Sequence, residues 1–240
     1  MAFFIELLKK ATALLSVAFV FLSVLKFTEE RMLANKGFKI FVIVWFGQLV
    51  SLTGTAVTRF ALLIWAYEQT GSATTLALLG FYSFVPYILV SPIAGVWVDR
   101  LDRRRIMMVT DLGAGLMTLA ILGLYATGSL EIWHLFVAEA LTGFFEAFQV
   151  PAYTAVTTLL IPKNQYARAS GMNSMAHSAA QIGGPVLAGL LLGFIHIEGV
   201  MIVDIATVIV ALLTLLIVRF PTIKVDEAEQ AQKTNTLQEI

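Results

Sequence analysis

The 240-residue chain has no cysteine, only three histidines and six prolines, and few charges, with Lys, Arg, Asp and Glu making up 13% of it. The missing cysteine excludes disulfides, thiolate nucleophiles and thiolate metal ligands. A soluble domain is typically about one quarter charged, so this chain carries too little charge to cover a water-facing surface. Sixteen basic and sixteen acidic residues cancel. Outside the short loops there is no basic patch with interleaved aromatics, so nucleic acid is not an expected partner. There is also no His-Glu-x-x-His, nucleophile elbow, phosphate loop or cluster of metal ligands, so no enzyme activity, cofactor or metal is expected.

What is present instead is apolar. Hydrophobic residues make up 58% of the chain and the mean hydropathy is +0.84. They come in long runs, with the charges confined between them, which is the pattern of repeated membrane spans. Since a bilayer core takes about 20 apolar residues per helix, six segments qualify: Phe38–Ala66, Thr74–Val98, Arg105–Ala126, Ile132–Ile161, Tyr166–Ile195 and Gly199–Arg219. The expected fold is an all-α membrane protein, a bundle of six transmembrane helices spanning 37–221, with the lipid bilayer as its first partner. Arginine and lysine mark alternate turns: Arg100, Arg103, Arg104 and Arg105 follow the second span, Lys163 and Arg168 the fourth, Arg219 and Lys224 the sixth. The other turns hold Glu68, Glu131 and Glu198. By the positive-inside rule the turns after even-numbered spans and the C-terminus are cytoplasmic, in a multi-pass protein of the plasma membrane.

The flanks read differently. Residues 1–36 form a hydrophobic or amphipathic extension, in which Ala11–Leu25 is short for a span and is bracketed by Lys9, Lys10 and Lys26. Three readings fit it: an extra hydrophobic helix across the membrane, a helix lying in the interface, or a start of the natural chain at Met32. Residues 222–240 are polar and read as a cytoplasmic tail.

Between the second and third spans stands Gly95-Val-Trp-Val-Asp99-Arg100-Leu-Asp102-Arg103-Arg104-Arg105. As a basic cluster alone it fits an ordinary positive-inside turn in water. A glycine there admits a close helix approach, and the arginines suit carboxylates or helix C-termini; Asp111, about two turns into the third span, is an expected partner. The spacing of Gly95, Asp99, Arg100, Arg103 and Arg104 resembles the signature loop of the major facilitator superfamily. Asp102, where the general pattern has Gly, points to the macrolide-efflux-like branch. Other stretches are similar to that branch: Ile43 to Leu52 in the first span, Tyr67 to Ser72, Ala147 to Tyr153, and, in the fifth span, Gly171-Met172 with Gly184-Pro185 to Gly189, the last resembling a Gly-Pro helix motif with Leu190 at its second closing glycine. The resemblance runs from about Gly37 to Pro221 and implies one six-helix half of a transporter that has two.

Polar residues within the spans fall on stripes at helical spacing. The first span has Gln48, Ser51, Thr55 and Arg59, the fourth Glu139, Thr142, Glu146 and Gln149, and the fifth Ser170, Asn173, His177 and Gln181. Three such stripes imply a shared water-accessible cavity, and the resemblance puts the first and fourth helices on its wall and the third and sixth outermost. In agreement, the third span reads as free of mid-membrane charge, and Asp204 as lying near the outer end of the sixth. Arg59 and Glu139 lie at matching depths and either pair across the cavity or snorkel to the headgroups. Glu146, if unpartnered, and His177 are either proton carriers or hydrogen-bonded packing residues. The resemblance also implies a basic residue in the fourth helix, which this chain lacks.

The function these features imply is secondary active efflux of small amphipathic organic compounds by alternating access, with Gly95–Arg105 and Asp111 as a conformational lock. The alternative is an incomplete half that needs a second half or another copy of itself.

Overall fold

A computed structural model describes residues 36–218. The extension 1–36, apart from Lys36, and the tail 222–240 lie outside the described residues. Five α-helices follow one another: α1 Lys36–Thr70, α2 Ala73–Arg100, α3 Arg103–Ala126, α4 Ile132–Leu160 and α5 Tyr166–Ile217, with a 3-10 turn at Lys163–Gln165 before α5. The fifth, 52 residues long, is interrupted at His196, where φ is 55° and ψ −179°. The chain reverses there. Gly184 of the first part faces Ala56 of α1, while Thr207 and Thr214 of the second part face Gly54 and Gly47. Residues 166–195 and 197–217 are therefore two antiparallel stretches, both packed on α1.

Four helical stretches are long and apolar enough to cross a membrane: Gly37–Thr70, Ala73–Arg100, Arg103–Ala126 and Lys163–Ile217. The fold is an all-α membrane architecture. α4 falls outside that set; it carries Glu139, Glu146 and Gln149 within its length.

Each turn follows from local chemistry. Gly71 takes the left-handed conformation (φ 60°) and its N–H donates to Tyr67 O at 2.7 Å, closing α1. α3 ends in a Schellman arrangement: Gly128 (φ 69°) donates to Tyr125 O at 3.0 Å and Ser129 to Leu124 O at 2.9 Å. Asp102, the departure from the family loop, is the N-cap of α3, and its carboxylate accepts from the N–H of Arg104 at 3.0 Å and of Arg105 at 3.4 Å. At the start of α4 the Glu131 N–H donates to His134 Nδ1 at 3.0 Å.

Two apolar cores hold the bundle. One, at the end carrying the arginine loop, gathers Phe38, Phe41, Val44, Val98, Met107, Val156, Leu160 and Leu215. The other, at the opposite end, gathers Val57, Ala61, Leu79, Ile121, Leu135, Ala188, Val200 and Met201. Small residues bring helices close: a side chain on Gly143 would collide with the backbone carbonyl of Ser83 in α2, and one on Gly184 would stand 2.8 Å from Ala56 Cβ. The expected close approach does not occur at Gly95 or Gly189, which have nothing within 4 Å of a built Cβ. Both face outward, so neither brings two of the described helices together. The outward faces are apolar, with Phe81, Phe84, Leu89, Trp97, Ile182, Val186 and Phe194 exposed, as suits contact with lipid or another apolar surface.

Candidate functional site: a polar layer between the two cores

Between the apolar cores lies a layer of polar side chains from α1, α3, α4 and the second part of α5. Its first cluster centres on Arg59 of α1. Arg59 Nε stands 3.3 Å from Glu139 Oε2, and Nη2 donates to Glu146 Oε1 at 3.0 Å. The two glutamates are seven residues apart on α4 and share a face, so one guanidinium fork bridges them. The side chains are 34% (Arg59), 16% (Glu139) and 41% (Glu146) exposed. They line a cavity of about 380 Å³ with Leu63, Leu76, Ser83, Phe84 and Tyr87. Its wall is apolar and aromatic around one cation and two carboxylates. Glu146 thus has a cationic partner, so the condition set for it as a proton carrier, an unpartnered carboxyl, is not met.

The second cluster is a closed ring. Gln48 Nε2 donates to Asp111 Oδ2 at 2.8 Å, and Gln149 Nε2 donates to Asp111 Oδ1 at 2.8 Å and to Gln48 Oε1 at 2.9 Å. Thr110 Oγ1 donates to Gln149 Oε1. Asp111 is buried, and among the described residues it makes no ion pair. Its expected partnership with the loop arginines is therefore corrected: it points into the bundle, toward amides of α1 and α4. The expectation of a third span without mid-membrane charge is corrected too.

In the third cluster, Asp204 is 1% exposed and accepts from Thr55 Oγ1 at 3.2 Å and Thr118 Oγ1 at 2.8 Å. It lies against Gly54, in the polar layer rather than near the outer end of its helix. The third and sixth stretches thus turn their acids inward. Thr118, Ser83 and Tyr87 were not singled out from the sequence, and Asp204 was placed near the outer end of the sixth span, not among the site residues. For Asp204 a signal existed, a lone acid in an apolar span.

Toward the arginine-loop end, Tyr153 OH donates to Asn173 Oδ1 at 3.0 Å. A cavity of about 170 Å³ is lined by Trp45, Gln48, Gln149, Tyr153, Asn173 and His177. It shares Thr154, Asn173 and His177 with a neighbouring cleft of about 540 Å³ between α4 and α5, lined by hydroxyls of Thr157, Thr158, Tyr166, Ser170, Ser174 and Ser178. His177 is exposed at the boundary of the two; Gln181 is exposed and lines neither.

In the loop, Arg104 Nε donates to Leu215 O at 2.7 Å and Nη2 to Leu216 O at 2.8 Å, capping the last carbonyls of α5. Arg105 pairs with Asp102 at 3.5 Å, both well exposed. Asp99 and Arg100 are exposed and Arg103 half-buried, and among the described residues none of the three side chains makes an ion pair.

The Major Facilitator Superfamily model matches residues 44–239. The chain belongs to the major facilitator superfamily. Among its relatives, Macrolide efflux protein A of Streptococcus pyogenes is 32% identical over 202 residues, covering 83% of this chain and 49% of the relative. Macrolide efflux protein A of Enterococcus faecalis is 32% identical over 172 residues, 71% of this chain and 52% of the relative. The Multidrug efflux pump Tap of Mycolicibacterium fortuitum is 25% identical over 156 residues, 63% and 38%. The chain spans about half the length of the macrolide efflux relatives. Within the superfamily its departure at Asp102 is a helix cap, and Pro185 follows the glycine that seats α5 on α1.

Proposed function

We propose that residues 37–221 form a six-span half of a secondary active exporter of small amphipathic organic compounds, working by alternating access. The support is the polar layer. Charged residues inside a membrane bundle are costly and mark transport pathways, and here Arg59, Glu139 and Glu146 line a cavity with an aromatic and apolar wall. The antiparallel stretches 166–195 and 197–217 and the polar α4 are each read as a crossing, so the turns carrying Arg100–Arg105 and Lys163–Arg168 lie on the cytoplasmic side. Gly95, Asp99, Arg100, Arg103 and Arg104 are read as the conformational lock. Arg104, on the last carbonyls of α5, is its engaged member, and opening would require that contact to break. Gln48, Thr55, Gln149, Asn173 and His177 are read as further cavity residues. The polar tail and the N-terminal extension are read as accessory to this half.

A complete cavity has a second wall, and the chain spans about half of the curated relatives. The second reading is therefore that transport needs a second six-span unit or another copy of this chain. Both are tested in bacteria lacking their own efflux pumps, which express the chain alone or with a second half from a macrolide efflux relative. Retained radiolabelled macrolide and a cationic dye are then measured. Lower retention that Arg59→Ala abolishes supports the exporter. Lower retention only on co-expression supports the second reading. Retention unchanged in both, with the protein present in the membrane, refutes the export reading.

A further inference from the structure

The Asp111 ring has a hydrogen-bond count that works for one protonation state. As a carboxylate, Asp111 accepts from Gln48 Nε2 on one oxygen and from Gln149 Nε2 on the other. The second hydrogen of Gln149 Nε2 goes to Gln48 Oε1, and Gln149 Oε1 shares the single hydroxyl hydrogen of Thr110 with the carbonyls of Ile106 and Met107. Now add a proton. On Oδ1, the new O–H faces the Gln149 NH₂, donor against donor. If Gln149 turns its oxygen to Asp111, its NH₂ leaves Gln48, and if Gln48 turns as well, its oxygen faces Oδ2. On Oδ2, turning Gln48 sets its NH₂ against that of Gln149, and turning both sets the Gln149 oxygen against Oδ1. A proton on a lone pair the amides now use therefore breaks one of the three bonds that join α1, α3 and α4 in the ring.

The charges around Asp111 do not substitute for a proton. α1 presents Gln48, and α4 presents Gln149 with Tyr153 one turn on and Glu146 one turn before, the latter paired with Arg59 of α1. α5 presents Asp204, which is held by Thr118 seven residues along α3. On α3 itself Arg104 is engaged with Leu215 and Leu216. A route to the ring exists, since Gln48 and Gln149 form part of the wall of the 170 Å³ cavity, which shares His177 and Asn173 with the larger cleft. On the same wall the buried Trp45 Nε1–H has no partner among the described residues, marking a place for an acceptor such as water.

We propose that Asp111 with Gln48 and Gln149 is a proton-binding site whose occupancy makes or breaks one bond of the ring that ties α1, α3 and α4. The site rests on the transporter reading for its purpose, since it would couple a proton to movement of the cavity wall. Its chemistry stands without that reading. Binding is plain protonation of a carboxylate oxygen, and release returns the proton to the cavity.

The test is infrared difference spectroscopy of the full chain in liposomes as pH is lowered. The expected result is a protonated-carboxyl C=O band that Asp111→Asn removes and that Glu139→Gln, Glu146→Gln and Asp204→Asn retain. Should Asp111→Asn not fold, Gln48→Met, which removes one amide donor, must displace the pH midpoint of the same band. A band that survives Asp111→Asn, or a midpoint that Gln48→Met does not move, overturns the proposal. Transport separates the two ideas. If export proceeds and Asp111→Asn leaves its dependence on a pH gradient intact, the proton site falls and the exporter stands. If the wild type exports nothing yet the band behaves as expected, the exporter falls and the proton site stands.

Discussion

Removing the Arg59 side chain tests the energetic logic of the polar layer. Arg59→Ala leaves Glu139 and Glu146 without the cation that now touches both. A buried pair broken from one side costs about 3–5 kcal/mol, whereas exposed pairs are worth roughly 0–1 kcal/mol. The exposures here, 34% for Arg59, 16% for Glu139 and 41% for Glu146, lie between these limits. The more buried Glu139 should dominate, and a loss of about 2 kcal/mol is expected, between the exposed and buried cases. Arg59→Lys should recover only part of it, because a single ammonium lacks the fork of donors by which Arg59 holds two carboxylates at once, from residues two turns apart on α4. The assay is reversible unfolding in mixed micelles, where each variant is compared with its Glu139→Gln and Glu146→Gln double mutants. Neutralising Glu139 should restore most of the stability lost in Arg59→Ala, and neutralising Glu146 less. Arg59→Ala within about 0.5 kcal/mol of wild type, the range of an ordinary surface substitution, refutes the reasoning. So does equal rescue by the two glutamine variants, since burial would then have no part in the effect.

Gly143→Ala places a methyl against the Ser83 carbonyl, a backbone atom that cannot turn aside; a loss of about 1–3 kcal/mol or more is expected on unfolding. Asp102→Ala removes the N-cap of α3 and should cost about 1 kcal/mol, while Asp102→Asn, which keeps an acceptor, should cost less. His196 has φ 55° with an extended ψ of −179°, a conformation that is essentially glycine's and costs other residues of order 1–3 kcal/mol. His196→Gly should therefore raise the melting temperature, and a fall would show that the imidazole holds the reversal by contacts worth more than the strain.

The helices and their order were legible because membrane spans are written in composition, with long apolar runs closed by Gly71, Gly128 and the arginine loop. The reversal at His196 was legible from Glu198, Gly199 and the helix length a bilayer permits, although the residue that takes the left-handed conformation is itself neither glycine nor asparagine. Stripes on the first and fourth spans likewise showed which residues face inward. What remained hidden was which stripe residue meets which. Helical periodicity fixes direction around an axis, but partnership depends on how far one helix slides along another. That is why Asp111, close in sequence to four arginines, instead meets Gln48 and Gln149. Asp204, read as peripheral, meets Thr55 and Thr118. The closeness of Gly143 to Ser83 is hidden for the same reason, and so is the emptiness around Gly95 and Gly189. A glycine permits a close approach without requiring one.

The arginine loop and the polar layer are connected through α3. At its first turn, Arg104 holds the final carbonyls of α5. Two turns on, Asp111 holds α1 and α4, and two turns beyond that, Thr118 holds Asp204 of α5. A rigid helix pinned at three heights cannot tilt relative to α1 and α4 while all three contacts persist. Arg104 is tied by carbonyls, which do not titrate, and Thr118 by a hydroxyl that can swing. The ring and the Thr118 contact both end on carboxylates, Asp111 and Asp204, whose hydrogen-bond patterns change with a proton, whereas the Arg104 contact does not. If α3 moves during transport, the contact at its foot has to break along with the ring. Arg104→Ala should then raise the labelling of Met107→Cys, buried on α3 beside the loop, above that of the same cysteine with Arg104 in place at every pH, in this otherwise cysteine-free chain. Labelling unchanged by Arg104→Ala would show that the loop contact does not hold α3 in place.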